Sequence, residues 1–436
     1  MPDDLTDEEM AEGVDTLYLR QRKETSSNVT TIVPISLISH LDTTMLRVIL
    51  NRLEAKAEEL LAEGQASFRP GRSTVEHIFN SRVTIKKHLQ HQRDLFRNLI
   101  DFKKAFDRLW HAGLWQVLRS FSIEEGLVQV IQALNENSSS AVFLNSQPEE
   151  FVKTTVGVRQ GCLFLPILLN LFLNKIMQET LHDHHTSISI GGRPIYNLRI
   201  ADDITLMGSS NDELQDLTNR LVDRTTEYGM EVSTEKSKLM TNSTNISAEI
   251  SMNGQKLVEV TSNKYLGATL CKAEVRIRIA SAMAAIARLN RIWRCSTISF
   301  ASKFKLYKSL VTSILLYGCE TWTQLADFEK KRRIQAFETK CLMKLLHISY
   351  LERKTNDCVR NKINFRVGPQ EPLLAAVKKR KLELFGHVTC HDSFPQTILC
   401  RQRKRLDGQH QKIDIPAHVR TAHKGLVQKR LNEYLC

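Results

Sequence analysis

The chain lacks any apolar stretch long enough to cross a bilayer and any N-terminal segment typical of secretion. The longest apolar run without acidic or basic residues lies between Arg159 and Lys175 and contains amide side chains, whereas a spanning helix needs about 20 consecutive apolar residues. The first fifteen residues include seven acids, no base and no apolar centre, which is unlike a signal peptide. These absences predict a soluble, intracellular chain, in the nucleus or the cytoplasm, with no membrane partner.

Cysteine is present without a spacing pattern. The nine cysteines are scattered, so neither the disulfide framework of a small secreted protein nor a zinc motif is predicted. The spacing of His387, Cys390, His391 and Cys400 does not match a zinc site either. We therefore expect reduced thiols and no bound zinc.

Acidic residues are outnumbered by basic ones. Lys and Arg total 61 against 48 for Asp and Glu, which leaves a net charge of +13 over 436 residues. This surplus favours a polyanionic partner such as a nucleic acid, although basic proteins without such a partner are common. With 42% hydrophobic residues, the chain can form two or three domains with large cores.

The most informative stretch is residues 198–207, where two adjacent aspartates interrupt an apolar alternation. The alternation on both sides of Asp202 and Asp203 predicts two short strands that meet at the acidic pair. Adjacent carboxylates repel each other, and Arg199 is the one cation close by in the sequence. A bound divalent ion would relieve this repulsion. The alternative is that acidic residues simply favour exposed turns.

A third aspartate lies upstream. An apolar, strand-like run ends at Asp101, and a segment compatible with a helix follows it. If Asp101 lies beside the acidic pair, the three carboxylates supply the oxygen ligands for two magnesium ions about 3.5–4 Å apart, as in phosphoryl transfer. If the three lie far apart, the chain is a helical scaffold or a basic nucleic-acid-binding protein.

Ordered blocks of the chain resemble those of the reverse transcriptases of non-long-terminal-repeat (LINE-like) retrotransposons. Finger-like, palm-like and primer-grip-like blocks occur in the family order over about 34–322. They are residues 34–39, 65–74, 101–110, 157–162 with Pro166 and Asn170, 201–203, 229–238 and 264–267. Because there are many blocks at family-like spacing, the resemblance is specific.

The resemblance implies an α+β fold of the right-hand polymerase class, with fingers, a palm on a small antiparallel sheet, and a helical thumb. The expected divisions are a flexible acidic leader (1–30), fingers and palm (31–270), thumb (271–350) and a basic, helix-rich C-terminal extension (351–436). A small packed helix is the alternative for the leader. The palm sheet is expected from strands near 95–101, 198–201, 204–208 and 262–266, with helices on one face.

Apolar periodicity predicts the main helices. Residues 45–60 and 167–176 each show an apolar face, and a further helix begins at Ser210 with a capping-box pattern and ends at Gly229. Two apolar stripes predict helices of the thumb. They consist of Tyr307, Leu310, Val311, Ile314 and Leu315, and of Ile334, Phe337, Cys341, Leu345 and Ile348.

The function that the resemblance implies is RNA-directed DNA synthesis, a nucleotidyltransferase reaction. Its partners would be an RNA template, a DNA primer and deoxynucleoside triphosphates, and its cofactor two Mg²⁺ ions. Asp101 and Asp202 would hold the ions, with Asp203 supporting them and the backbone carbonyl of Phe102 adding a ligand. Lys236 would approach the β- and γ-phosphates and protonate the departing pyrophosphate, the alternative being a solvated lysine.

The resemblance also implies contacts with nucleotide and template. Arg69 and Arg72, in a loop broken by proline and glycine, would contact phosphate bidentately, and Phe106 would lie beneath the sugar and block a 2′-hydroxyl. Gln160 and Gly161 would lie near the nucleotide or the template base. The alternatives are solvated surface arginines, a core phenylalanine and ordinary turn residues.

Leu266 and Gly267 belong to the primer-grip block. Basic residues further along would hold the duplex backbone, or would form a solvated face. These are Arg276, Arg278, Arg288, Arg291 and Arg294. Two basic runs in the extension, 378–381 and 401–405, are typical of nucleic-acid tails and localisation signals, and equally of solubilising charge.

The chain departs from the family pattern in several places. Ile200 stands where an aromatic residue usually precedes Ala-Asp-Asp, Leu165 replaces a serine, Ser67 replaces a glycine, and the segment 270–276 is shorter. We expect a partial copy without the endonuclease. The alternative function is that of a decayed retrotransposon copy that binds nucleic acid without polymerising.

Overall fold

The computed structural model describes residues 16–18, 36–37, 40–136, 139–141, 143–144, 147–148, 152–153, 157, 163–186, 188–190, 193–242, 248–271, 273–322 and 328–390. They fall into two units, each with its own apolar core. The first unit is Met1–Ser73 with His88–Thr261, and the second is Thr74–Lys87 with Ser262–Cys436. Within the predicted leader only Thr16–Tyr18 is described, and it forms a strand.

The helices, numbered in chain order, include all those predicted from apolar periodicity. They are α1 (His40–Leu60), α2 (Thr74–Gln90), α3 (His111–Ser120), α4 (Glu125–Glu136), α5 (Leu165–Thr180), α6 (Asn211–Glu227), α7 (Glu274–Arg288), α8 (Asn290–Arg294), α9 (Phe300–Leu306), α10 (Ser313–Leu316), α11 (Phe328–Leu345), α12 (Asn356–Val367) and α13 (Leu373–Cys390). Among the described residues, no helix combines the length and the apolar character needed to cross a membrane.

The strands are short. They are β1 (Thr16–Tyr18), β2 (Ser36–Leu37), β3 (Phe96–Ile100), β4 (Ser139–Ala141), β5 (Phe143–Leu144), β6 (Gln147–Pro148), β7 (Val152–Lys153), β8 (Ser189–Ile190), β9 (Arg193–Pro194), β10 (Asn197–Ile200), β11 (Asp203–Gly208), β12 (Lys238–Thr241), β13 (Ser251–Met252), β14 (Gln255–Lys256), β15 (Val258–Glu259), β16 (Lys264–Tyr265) and β17 (Ala268–Thr269).

The central sheet of the first unit has the strand order β10-β11-β3-β12-β15. Its first four strands are antiparallel, and β15 runs parallel to β12. Three of the predicted palm strands are confirmed. The prediction near 262–266 is wrong, because β16 pairs with β17 in a separate hairpin, and β12 occupies the place beside β3. The physical reason is burial: Leu239 and Met240 of β12 are buried, whereas 262–264 is polar.

Two helices pack against this sheet and form much of the first core. Twelve of the 16 residues of α5 are buried, as its apolar sequence predicts. Asn98 of β3 donates a hydrogen bond to Thr218 of α6. At the start of α6, the Ser210 hydroxyl accepts from the Glu213 N–H. The helix ends before Gly229, which has φ +72°. The α+β class of the right-hand polymerases is therefore confirmed.

The second unit is mainly helical, and its apolar stripes are mostly buried. Tyr307, Val311 and Leu315 are buried as predicted, whereas 44% of the Leu310 surface is exposed. Tyr307–Thr312 forms a π-helical turn, and its wider i→i+5 repeat rotates Leu310 away from the apolar face. In α11 the predicted stripe is buried from Ile334 to Leu345.

The basic run 378–381 is not purely solvated charge. Lys381 is only 8% exposed, its amine donates to the Trp322 carbonyl, and burial lowers its pKa to about 8. Arg380 donates to the Leu316 carbonyl at 3.2 Å. Lys381 therefore belongs to the packed interior of the second unit, whereas Lys378 and Lys379 are exposed. The run 401–405 lies outside the described residues.

Candidate active site

The acidic pair lies at the tip of a tight hairpin in the first unit. Ile200 pairs with Asp203, so Ala201 and Asp202 form a two-residue loop between β10 and β11. Ala201 has φ +50°, a conformation that costs roughly 1–2 kcal/mol for an L-residue. Its N–H donates to the Ser67 hydroxyl at 2.7 Å. The predicted hairpin is thus present, and a hydrogen bond to Ser67, which lies outside the hairpin, holds its turn.

Asp101 lies beside this tip. In the antiparallel pair of β3 and β11, Ile100 is opposite Ile204. One position closer to the tip, Asp101 is therefore opposite Asp203. Residues directly opposite in such a pair lie about 4.5–5.5 Å apart. The early aspartate and the later pair therefore share one end of the sheet, which is the convergence that the polymerase hypothesis requires.

The backbone of Asp101 is fixed on the other side by the segment before β12. The Asp101 carbonyl accepts from the Ser233 N–H at 2.7 Å, and the Asp101 N–H donates to the Ser237 hydroxyl at 3.2 Å. Ser237 is fully buried and donates in turn to the Ser233 carbonyl. Nothing in the spacing of these serines marks them in the sequence as supports of the site.

The pKa values of Asp202 and Asp203 are both raised, chiefly by burial. Burial, and then the charges of Asp202 and Asp101, raise the pKa of Asp203 to about 6. Burial also raises the pKa of Asp202; there Asp101 adds to the effect, while a backbone hydrogen bond and Lys236 oppose it. The site therefore holds more negative charge than it stabilises by itself, and a cation would remove the imbalance.

Lys236 is the cation that the chain itself supplies. Its amine lies 3.6 Å from the Asp101 carboxylate, and its side chain is 66% exposed. At this exposure the ion pair contributes little to stability, so the amine is free to move toward another anion. This placement is compatible with the predicted role of Lys236 at the phosphates.

The donor set fits a hard divalent cation. Carboxylate oxygens are what Mg²⁺ prefers, but Mg²⁺ usually binds through one or two carboxylates together with substrate phosphates and water. Accordingly, no group of three or more His, Cys, Asp or Glu side chains in the described part of the chain is already arranged to hold an ion. Asp101, Asp202 and Asp203 would supply the protein's oxygen ligands to such an ion, and water or a bound substrate would supply the rest.

The backbone of Phe102 is oriented by its pairing with Val232. It forms an isolated antiparallel bridge with Val232, whose hydrogen bonds are made by the flanking residues Lys103 and Ser233. In such a pair the N–H and C=O of the central residue point away from the bridged strand. Since β3 lies between β11 and β12, the Phe102 carbonyl faces β11, as its proposed ligand role requires.

The raised pKa of Asp203 predicts pH-dependent metal binding. Below pH 6 this carboxyl is largely protonated, so Mg²⁺ affinity is expected to increase about tenfold between pH 5 and pH 7. In the metal-free chain, rising pH changes stability in the opposite direction. The pKa of Asp203 in the folded chain lies above its value in the unfolded chain, so its contribution to the free energy of unfolding is largest below pH 3.8. This contribution is lost as the pH rises to 6. Calorimetric titration of Mg²⁺ at several pH values measures the first effect.

Asp203→Asn should flatten the Mg²⁺ affinity profile and raise the melting temperature at pH 7.5 but not at pH 4. Asp223→Asn, at an exposed position of α6, is the matched control and should leave the profile as in the parent. An unchanged profile in Asp203→Asn would show that another group titrates.

Arg69 is engaged by hydrogen bonds within the chain. Its guanidinium donates twice to the Glu58 carboxylate, at 2.9 and 2.6 Å, and also to the carbonyls of Ala62 and Gln65 at 2.9 Å. The side chain is only 6% exposed. Most of its five donors are therefore already used, and Arg69 closes the loop after α1, while its contact with phosphate stays a prediction.

The other predicted nucleotide contacts have different outcomes. Arg72 is half-buried in the same loop, and Phe106 is partly buried against the first core. Gln160 and Gly161 lie outside the described residues. Gly157, just before them, is held against the segment after Asp101: it has φ +84°, and a Cβ there would lie 2.7 Å from the Asp107 carbonyl.

Arg199 does not neutralise the acidic pair, although it is the nearest cation in the sequence. It is fully buried, and its guanidinium donates to Asn174 of α5 at 3.1 Å. In the register of β10 and β11 it is opposite Ile204, whose side chain belongs to the first core. Burial lowers the pKa of Arg199 to about 10, and the nearby charge of Arg69 acts in the same direction.

Leu266 and Gly267 form the turn of a hairpin in the second unit. Both have positive φ, +50° and +74°, and they join β16 to β17. The Leu266 carbonyl accepts from the Tyr317 hydroxyl at 2.6 Å, and the Gly267 carbonyl accepts from Arg278. Arg278 also lies over the Tyr317 ring. Of the predicted duplex-binding arginines, Arg278 is thus engaged within the chain, and the other four are exposed.

Comparison with known proteins is consistent with this geometry. A family model described as reverse transcriptase (RNA-dependent DNA polymerase) matches residues 22–270, which is more than half of the chain. A probable RNA-directed DNA polymerase from transposon BS of Drosophila melanogaster is 27% identical over 344 residues, covering 74% of this chain and 37% of the relative. The RNA-directed DNA polymerase from mobile element jockey of the same species is 22% identical over 437 aligned positions, covering 93% and 46%.

Among solved structures, apo telomerase from Candida tropicalis matches with a TM-score of 0.42 and 14% identity, covering 84% of this chain and 66% of that one. The chain spans less than half the length of the two curated relatives described above.

Proposed function

The chain belongs to the reverse transcriptase (RNA-dependent DNA polymerase) family, and from this we propose that it adds deoxynucleotides to a primer 3′-hydroxyl, directed by an RNA template. The observation that carries the proposal is the convergence of Asp101 with Asp202 and Asp203 at one end of the sheet. Three mutually repelling carboxylates at an accessible tip are costly unless cations and an anionic substrate bind there.

Two Mg²⁺ ions, when bound, would activate the primer hydroxyl and neutralise the triphosphate and the departing pyrophosphate. In our proposal Asp101 and Asp202 hold them, Asp203 supports them, and the Phe102 carbonyl adds a ligand. Lys236, close to Asp101 and largely exposed, moves to the β- and γ-phosphates and donates the proton that pyrophosphate needs on leaving.

The substrate contacts are proposed with the same division of the chain into fingers and palm (31–270), thumb (271–350) and extension (351–436). Phe106 selects against a 2′-hydroxyl, while Gln160, Gly161 and Arg72 contact nucleotide or template. The turn at 266–267 contacts the primer. Base pairing with the template supplies sequence choice, so the chain needs only backbone and sugar contacts. An intracellular location, in the nucleus or the cytoplasm, is part of this proposal.

Primer extension tests the function directly. Purified protein with an RNA template, an annealed DNA primer and Mg²⁺ should add only the deoxynucleotide complementary to the template, and EDTA should reduce this to background. Excess Mg²⁺ added after EDTA should restore it.

Salt-dependent binding to the same duplex is measured in parallel, with and without EDTA. Binding without extension, unaffected by removing Mg²⁺, would replace the polymerase proposal with that of a nucleic-acid-binding protein that has lost the reaction.

A further inference from the structure

The hairpin tip that carries Asp202 is tied to a polar cluster formed by Gln65, Ser67 and Asn170. The Ser67 hydroxyl accepts from the Ala201 N–H at 2.7 Å and donates toward the side-chain oxygens of Gln65 and Asn170, each at 3.1 Å. A hydroxyl has one proton and two lone pairs, so these contacts use both its donor and its acceptor capacity.

The cluster is anchored in the core. Asn170, on α5, and Gln65 are both fully buried. The Asn170 amide donates to the Ser67 carbonyl at 2.8 Å, and its oxygen also accepts from the Gln65 amide at 3.1 Å. The position of the Ser67 hydroxyl is therefore set by buried α5 through Asn170, together with the buried Gln65 side chain of its own loop.

The Ser67 hydroxyl holds a peptide whose backbone conformation is strained. Ala201 has φ +50°, where glycine is the favoured residue, and it immediately precedes Asp202 in a loop of two residues. Relaxation of Ala201 to negative φ would reorient the Asp202 carboxylate. A hydrogen bond that keeps Ala201 in place therefore keeps the carboxylate in place as well.

We propose that Ser67 is a positioning residue for Asp202, acting through the Ala201 peptide and supported by Asn170. The inference rests on the proposed function, since it assigns Ser67 a part in holding the metal ligand. The arrangement requires a hydroxyl at position 67, because it is the hydroxyl that accepts the Ala201 N–H.

The test is the Mg²⁺ affinity of the intact chain, measured by calorimetry without nucleic acid. Ser67→Ala should weaken Mg²⁺ binding about fivefold, the equivalent of one hydrogen bond, with little change in melting temperature. Ser67→Thr keeps the hydroxyl and should restore the affinity. In primer extension, Ser67→Ala should lower kcat and leave the KM for deoxynucleotide unchanged.

A double-mutant cycle distinguishes positioning from general support. Ala201→Gly makes the turn conformation unstrained, so Ser67→Ala should cause a clearly smaller loss of Mg²⁺ affinity in that background. Equal losses in both backgrounds, or parent-like Mg²⁺ affinity of Ser67→Ala, would overturn the inference.

Failure of the inference is separable from failure of the function. A parent chain that binds Mg²⁺ through Asp202 but extends no primer removes the proposed function, and the inference then stands or falls on the affinities alone. A chain that extends primers while Ser67→Ala matches it in Mg²⁺ affinity and kcat keeps the function and loses the inference. Absence of Mg²⁺ binding in the parent overturns the inference outright.

Discussion

Asp202→Asn is expected to reduce primer extension on an RNA template by about 10³-fold or more. The amide keeps the size of the carboxylate and removes its charge, so the tip loses one of the two carboxylates proposed to hold the cations. Charge stabilisation by a bound metal is worth several kcal/mol in the transition state, and about 4 kcal/mol corresponds to 10³ in rate. The measurement is single-turnover extension with saturating Mg²⁺.

Two controls separate loss of chemistry from loss of structure. Asp223→Asn removes the same charge at an exposed position of α6 and should extend primers as the parent does. Asp202→Asn itself should keep its affinity for the template–primer duplex and should melt no earlier than the parent, because it removes a charge that its neighbours repel. Extension at the parent rate by Asp202→Asn would show that the metal ligands lie elsewhere.

The local structure around the acidic pair could be predicted because its signal is local. Alternation of apolar residues predicts which side chains of β10 and β11 are buried. Asp202 and Asp203 lie at the turn between these strands, where their side chains reach solvent. The approach of Asp101 could not be read in this way, since the register of β3 against β11 joins distant parts of the chain. There the resemblance supplied what periodicity could not.

Charged residues in the core were the least predictable. Sequence proximity suggests Arg199 as a partner of the acidic pair, yet its register places it against Asn174. Lys381 is a second example. Its place in a basic run suggests a surface residue, yet it is only 8% exposed. In both cases tertiary packing decides, because a long side chain can be buried whenever one polar partner lies within reach of its end.

The prediction that Leu310 is buried was wrong for a different reason, which is the π-helical turn. The stripe through Leu310 assumes 3.6 residues per turn, and one wider turn is enough to move that residue from the interior to the surface. Apolar residues three and four apart predict that a helix exists, but they carry no mark of where its repeat changes. The helix was therefore predictable and the orientation of Leu310 was not.

The loop after α1 contains one residue, Arg69, for which sequence and structure suggest different tasks. An arginine beside Pro70 and Gly71 suggests phosphate binding, since a guanidinium in a flexible loop can meet an anion bidentately. In the structure the anion belongs to the same chain: the Glu58 carboxylate of α1 accepts two hydrogen bonds from Arg69. The two assignments differ in what they predict for stability.

Arg69→Ala is expected to lower the free energy of unfolding by about 2–3 kcal/mol. The substitution removes charge-assisted hydrogen bonds, each worth about 1.5–3 kcal/mol, and the value stays at the lower end because Glu58 is 45% exposed and can be solvated. Arg69→Lys should recover less than half of the loss, since an ammonium cannot satisfy a carboxylate fork and two carbonyls together. Urea unfolding of the intact chain measures both.

The control is Arg52→Ala, which removes an exposed arginine of α1 and should change the unfolding free energy by less than about 0.5 kcal/mol. If Arg69 contacted phosphate instead, Arg69→Lys would raise the KM for deoxynucleotide while unfolding like the parent. The structure predicts the reverse, a KM near that of the parent at temperatures where the variant is folded. Because the Glu58 carboxylate already accepts two hydrogen bonds from this guanidinium, the loop after α1 is closed without any bound nucleotide.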